Sequence, residues 1–410
     1  MTATAGDRDR RDDEVVVAAV ARTPFGKFGG ALRAVPAVEL MVRVVRALLE
    51  RAHLTSERID ELALGCCAPH ETDGVAAVVA RQVLLKAGLP PERRSLTVDR
   101  ACCSAMTACA WSWRSLVLGE AGVCIAGGTE NMSRIPHLVR NLRWGVRVGS
   151  PVIEDPLLGM SYREFRPVSV DAGEVALEHG VTRQEQDEWA ALSQARYQAA
   201  RARGVFAEEI VPVTGEGPRG EAIEVHEDEL PRPDTTVEKL SRLPTVYGSP
   251  TVTAGNAPGL DAGAAGVVLT TRRAARELGL EPLARLVAVV STAEPPRQIA
   301  TVPAAAIRAG LARVGWSLAD LSLIEINEAF AVMPLVSSKL LAGGDRQATE
   351  ALRQKINING GAIAIGHPIG ASGARILLTL ILELRRRGGG RGAAAICGGL
   401  AQGDCALVEV

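Results

Sequence analysis

The stretch Ala47–Gly65, ALLERAHLTSERIDELALG, can be laid without a gap on Ala309–Asn327, AGLARVGWSLADLSLIEIN. Arg51 then meets Arg313, Thr55 meets Ser317, and Ile59, Leu62 and Leu64 meet Leu321, Ile324 and Ile326. Each copy reads as a helix, a capping hydroxyl and a strand. Each is followed by a tight turn of small residues, CCSAM at 102–106 and GASGA at 370–374, then by a helix, a strand and a Gly-Gly pair at 127–128 and 398–399. Repetition of the whole ordered set points to an internal duplication.

Short apolar runs such as EVVVAAVA, GVCIAGG, LARLVAVV and GAAAICGG alternate with helix-like segments, the pattern of an α/β fold. The two halves are expected at 15–131 plus 262–283 and at 284–410, after a disordered polar tail at 1–14. Between them, 132–261 is rich in charge and carries its own periodic helix, TRQEQDEWAALSQARYQAARARG, so it reads as an inserted lobe. Gln184, Trp189, Leu192 and Tyr197 mark at most one inward face of that helix, the rest being solvated.

At 410 residues, a net charge of −1 and 23% charged residues, no basic surplus suits a nucleic acid. No apolar run reaches the length of a membrane span. The eight cysteines form no CxxC pair and no histidines form HExxH, so no metal is expected. Without an apolar leader in MTATAGDRDRRDDE, the expected compartment is a reducing cytoplasm with free thiols.

Four places could carry chemistry. Cys102 and Cys103 open a helix that is apolar nearly all round and therefore central, and a thiol there faces the positive end of the helix dipole. Taken alone, paired thiols are more often core residues than nucleophiles. His367 stands in a glycine-rich turn, INGGAIAIGHPIGASGARI, before the second such helix. Cys397 ends a buried-looking strand in CGGLAQG, and Asn327 with Glu328 follows another in INEAFA, at the strand ends where α/β sheets build sites.

With ARTPFGKFGGAL, GGTENMSRIPH, TVTAGNAPG, INEAFA, NINGGAIAIGHPIGASGARI and a C-terminal Cys-Gly-Gly, the chain resembles the thiolases from about Glu14 to Val410. The resemblance implies a duplicated five-layer α-β-α-β-α fold with a loop lobe over the site, and reversible thiolysis of 3-ketoacyl-CoA or Claisen condensation of two acyl-CoAs. It implies CoA and acyl-CoA as partners, no cofactor beyond CoA as substrate or product, and a homodimer or homotetramer. By resemblance Cys102 is acylated, His367 takes its proton, and Cys397 moves the proton at the substrate α-carbon or on the departing CoA sulfur. Asn327 holds a water beside His367 in one oxyanion hole, and the N–H groups of Cys102 and Gly399 make the other. Ala254, Gly255, Pro258, Arg242, Phe330 and Met160 fall at substrate-binding places.

The chain departs from the family at Asp99 (usually asparagine), Ala105 (glycine), Pro258 (serine) and Gly398 (a larger apolar residue). Arg242 and Leu243 are exchanged, and Val168-Ser169 replaces a His-Met pair. Intact catalytic positions with altered walls imply an active enzyme of changed acyl-chain preference. The competing readings are a decarboxylating, ketoacyl-synthase-like condensing enzyme and an inactive CoA-thioester-binding relative.

Overall fold

Both copies of the repeat fold into the same succession of elements in the computed structural model, which describes residues 12–71, 77–158 and 164–410. The first half runs β1 (Val15–Arg22), α1 (Ala37–Arg51), β2 (Glu61–Gly65), α2 (Val79–Ala87), β3 (Arg94–Val98), α3 (Ser104–Val117) and β4 (Val123–Asn131). The chain then leaves the sheet for a stretch holding α4 (Val168–Glu178) and α5 (Arg183–Ala202), and returns as β5 (Asp261–Thr271). The second half is β6 (Ala284–Ala293), α6 (Val302–Val314), β7 (Leu321–Ile326), α7 (Val332–Leu341), α8 (Ser372–Arg386), β8 (Arg391–Gly398) and β9 (Gln402–Glu409).

Strand order carries the duplication. The first half is ordered β1-β5-β4-β2-β3, with β5 antiparallel to both β1 and β4, and with β4, β2 and β3 parallel. The second is ordered β6-β9-β8-β7 with the same senses, and a parallel bridge from Ile324 to Ile356 stands where β3 would be. The halves join edge to edge where Val16 and Val17 pair with Arg285 and Ala284. The excursion from Asn131 to Asp261 therefore falls at the point that the second half crosses in the short turn Gly399–Ala401.

The layers follow from side-chain pattern. Helix α1 buries one stripe, including Leu40, Met41, Val44 and Leu48, and packs with α2 against the outer face of the first half-sheet. Helices α6 and α7 do the same on the second half-sheet. In α8 every residue from Ser372 to Leu384 is buried, and α3 is buried round most of its circumference. A helix apolar all round has to lie between two sheets, and α3 and α8 share one core with strands of both halves. Burying each Leu or Ile there contributes about 1.5–3 kcal/mol. The architecture is the five-layered α-β-α-β-α arrangement.

Two local readings change. Ser317 donates to Asp320 Oδ2 from both its N–H and its hydroxyl, each at 2.7 Å, whereas the equivalent Thr55 makes no side-chain cap. In α5 the inward face is more polar than its apolar spacing suggests. Gln186, Asp187, Ser193 and Gln194 are buried beside Trp189 and Tyr197, while Leu192 and Gln184 face outward. Hydrogen bonds account for three of the four: Asp187 receives Asn256 Nδ2 at 3.0 Å, Gln194 donates to the Ile363 carbonyl at 3.1 Å and Ser193 to Glu328 at 2.9 Å, whereas the Gln186 amide has no partner.

Candidate active site

Strand β3 ends at Val98, and the chain turns into α3 through Asp99–Cys103. Asp99 Oδ1 accepts the Ala101 N–H at 2.9 Å, and Ala101 is left-handed at φ +50°, which costs a residue with a Cβ about 1 kcal/mol. Ser104 Oγ accepts the Arg100 N–H at 2.8 Å and donates to the Ala101 carbonyl at 2.6 Å, clamping the turn. The two cysteines consequently part. The Cys103 thiol turns back into the core, 3.5 Å from the Ile396 carbonyl, and the Cys102 thiol meets His367 Nε2 at 3.1 Å.

His367 comes from the loop before α8. Its Nδ1 lies 2.6 Å from Ser372 Oγ, whose proton goes to the Pro368 carbonyl at 2.8 Å. The serine oxygen therefore accepts Nδ1–H, which leaves the Nε2 lone pair for the Cys102 S–H. Asn327 Nδ2 stands 3.5 Å from Nδ1, on the side of the ring away from the thiol, while its Oδ1 faces Arg375 Nη2 at 3.5 Å.

Burial dominates the electrostatics. It drives the Cys102 thiol well above its ordinary range, with Cys397, Glu130 and Asp99 adding to the effect. Burial, then the Arg375 charge, holds the His367 imidazole down to about 3. The pull of the α3 N-terminus toward thiolate is outweighed, so the resting pair is a neutral thiol on a neutral imidazole, not an ion pair. Cys397, at the end of β8, is likewise lifted by burial to about 12.

Cys102, His367, Cys397 and Gly399 border one cavity of about 250 Å³. Ala254, Pro258 and Phe330 border it too, as do Val168 and Ser169 at the first turn of α4. Gly255 does not: Leu240 and Leu243 crowd its α-carbon, where a Cβ would lie 2.5 Å from each. Arg242 is exposed and does not border the cavity, and Met160 lies outside the described residues. Asn327 is buried behind His367 and is not part of the cavity wall. Among the described residues no cluster of His, Cys, Asp or Glu could hold a metal ion, and no helix is long and apolar enough to cross a membrane.

Residues 15–273 match the thiolase N-terminal domain and residues 280–410 the thiolase C-terminal domain. The chain belongs to the thiolase family. This thiolase is 40% identical to an acetyl-CoA acetyltransferase of Cupriavidus necator over 401 residues, 97% of this chain and 99% of that one. It is also 40% identical over 406 residues to the beta-ketoadipyl-CoA thiolase of Pseudomonas aeruginosa, with the same coverage. The crystal structure of human mitochondrial 3-ketoacyl-CoA thiolase in complex with CoA superposes with a TM-score of 0.89 at 36% identity, covering 97% of this chain and 98% of that one.

Two features of this thiolase go beyond what the sequence showed. Glu328 accepts from Trp189 Nε1, Ser193 Oγ and Asn357 Nδ2 at 2.9 Å each and from the Ile363 N–H at 3.1 Å, fastening α5 to the second half. The only signal was its place beside Asn327 at the end of β7. The other concerns the departure at Gly398. A Cβ on Gly398 would fall 2.8 Å from Cys103 Sγ and 2.7 Å from the Arg100 carbonyl. The Cys103 side chain thus fills the space a larger residue at 398 would take.

Proposed function

We propose that this thiolase cleaves 3-ketoacyl-CoA with CoA, and runs the reverse Claisen condensation, through an acyl thioester on Cys102. The carrying observation is the Cys102 Sγ to His367 Nε2 approach of 3.1 Å, with Nδ1 committed to Ser372. As Sγ attacks the 3-keto carbon its proton passes to Nε2, so a half-buried thiol becomes a nucleophile without ever resting as thiolate. The bond between C2 and C3 then breaks with its electrons on C2, and Cys397, whose raised pKa suits a proton donor, protonates that carbon. The CoA thioester so formed leaves, an incoming CoA thiol gives its proton to the Cys397 thiolate as its sulfur attacks the acyl-Cys102 thioester, and protonated His367 returns its proton to the departing Cys102 sulfur, which restores both thiols. Oxyanion support from the Cys102 and Gly399 N–H groups fits their places on the cavity wall, and each such donor typically contributes about 100-fold or more in rate.

The acyl wall supports a preference beyond the two-carbon unit. The cavity is lined mostly by hydrocarbon, Val168, Pro258, Ile299 and Phe330 among it. Self-assembly is supported by the arm that holds the short strands Leu138–Val139 and Ile153–Glu154. There Leu142, Trp144, Val148 and Ile153 face outward, Trp144 at 79% and Val148 at 97% exposure. A homodimer or homotetramer would cover so large an apolar patch.

A series of 3-ketoacyl-CoAs of increasing length, incubated with CoA and read by mass spectrometry, tests the reading. Expected are turnover beyond acetoacetyl-CoA, acyl on Cys102, none in Cys102→Ala, and acylation as well as turnover strongly slowed in Cys397→Ala, which lacks the proton donor for C2. Turnover of acetoacetyl-CoA alone would remove the acyl preference, and acyl on Cys103 would remove the nucleophile.

A further inference from the structure

Asp261, the first residue of β5, is fully buried beneath the His367 loop. Its Oδ2 accepts the His367 main-chain N–H at 2.5 Å, and its Oδ1 has no hydrogen-bond partner. The carboxylate is pressed between two bare glycines: a Cβ on Gly366 would lie 3.2 Å from Oδ2, and one on Gly259 would lie 2.8 Å from Oδ1. Gly366 also runs at φ +118°, so the peptide that carries His367 is threaded over this side chain. Phe25 and Leu230 close the remaining sides.

We propose that Asp261 is a positioning residue whose carboxylate, through the His367 N–H, holds the imidazole against the Cys102 thiol, and whose ionisation therefore governs the acylation step. It rests on the reading of His367 as the base for Cys102. With Oδ2 already accepting, an added proton has to sit on Oδ1, where it finds no acceptor. The protonated form loses the charge-assisted bond to His367 and gains a buried unpaired O–H.

The groups facing Asp261 are few. Asp228 opposes its charge, Arg232 favours it, and Lys27 lies opposite in the ladder with its side chain in solvent. Asp228 is itself paired with Arg22, which also holds Glu209. Burial first, then the Asp228 charge, pushes Asp261 up to about 7. His367, held near 3, has no ionisation in that range.

Single-turnover acylation of Cys102 by acetyl-CoA, read by peptide mass spectrometry between pH 5.5 and 8.5, isolates the step from free CoA. In the wild type the rate rises with pH through an inflection near 7. In Asp261→Asn, which keeps an acceptor for the His367 N–H and cannot ionise, that inflection is gone. Asp261→Ala, with no acceptor, is slower by about tenfold or more at every pH. A wild-type inflection retained in Asp261→Asn, beside a His367→Ala variant that does not acylate, overturns the proposal alone. Normal acylation by His367→Ala overturns the base reading and the proposal with it. Should Asp261→Asn fail to fold, a wild-type rate with no inflection between pH 6 and 8 is equally fatal.

Discussion

Ser372→Ala is the sharpest test of how the base is set. Ser372 is fully buried and takes the Nδ1–H of His367 at 2.6 Å, while Asn327 Nδ2, a donor, waits 3.5 Å from the same nitrogen. The two neighbours favour opposite tautomers. The serine favours hydrogen on Nδ1 and a free Nε2 lone pair; the amide favours a bare Nδ1 and hydrogen on Nε2, where it faces the thiol and blocks proton transfer. Removing the hydroxyl deletes the first interaction and leaves the second. A buried hydrogen-bond partner is worth about 1–3 kcal/mol, which at tenfold per 1.36 kcal/mol predicts acylation slower by about 5- to 150-fold. The substrate-facing walls are untouched, so kcat and kcat/KM fall together while KM moves little. Stopped-flow thiolysis with the best substrate of the chain-length series measures this. Rates within twofold of wild type would show that something other than Ser372 sets the tautomer.

Two further outcomes follow from burial. His367 is neutral in the folded protein down to about 3, whereas an unfolded histidine takes a proton below about 6.5. Its contribution is therefore complete above pH 6.5 and is lost as the pH falls toward 3. Relative to His367→Gln, the wild type should lose about 2 kcal/mol more unfolding free energy between pH 7.5 and 5. Urea titrations at the two pH values measure the difference, and parallel losses would count against a buried neutral imidazole. The double substitution Trp144→Ser, Val148→Ser removes the two most exposed apolar side chains of the outward-facing arm. Light scattering should then report a smaller particle with little change in melting temperature, and an unchanged mass would mean that the arm does not join subunits.

The duplication was legible because it is written in periodicity. The helix and strand of Ala47–Gly65 and Ala309–Asn327 recur as α1 with β2 and α6 with β7, and the all-round apolar character of α3 placed it between sheets. The choice of Cys102 over Cys103 came from register against a family, and its physical cause is the Asp99 and Ser104 bonding that fixes a left-handed Ala101. No sequence rule predicts that rotation. Thiolate character at the helix end was read from a local effect, and the structure reverses it because desolvation is a property of everything packed around the turn. Ser372, Glu328 and Asp261 act through partners distant in the chain or across a loop, and a periodic pattern carries no record of such pairings. Arg242 and Gly255 show the converse, since a place in a motif says nothing about which way a side chain or a bare α-carbon faces.

The contact between Cys103 and Gly398 makes two remote positions one heritable unit. Enlarging residue 398 alone drives it into a thiol and a carbonyl, and shrinking residue 103 alone opens a void beneath the strand that presents Cys397. Neither single step is neutral, and because the Arg100 carbonyl stands 2.7 Å from where a Cβ on Gly398 would fall, a larger residue there needs the turn before α3 to shift as well as a smaller residue 103. Engineers who transplant loops between this enzyme and its relatives must therefore move residue 103, residue 398 and the turn that carries the Arg100 carbonyl as one piece.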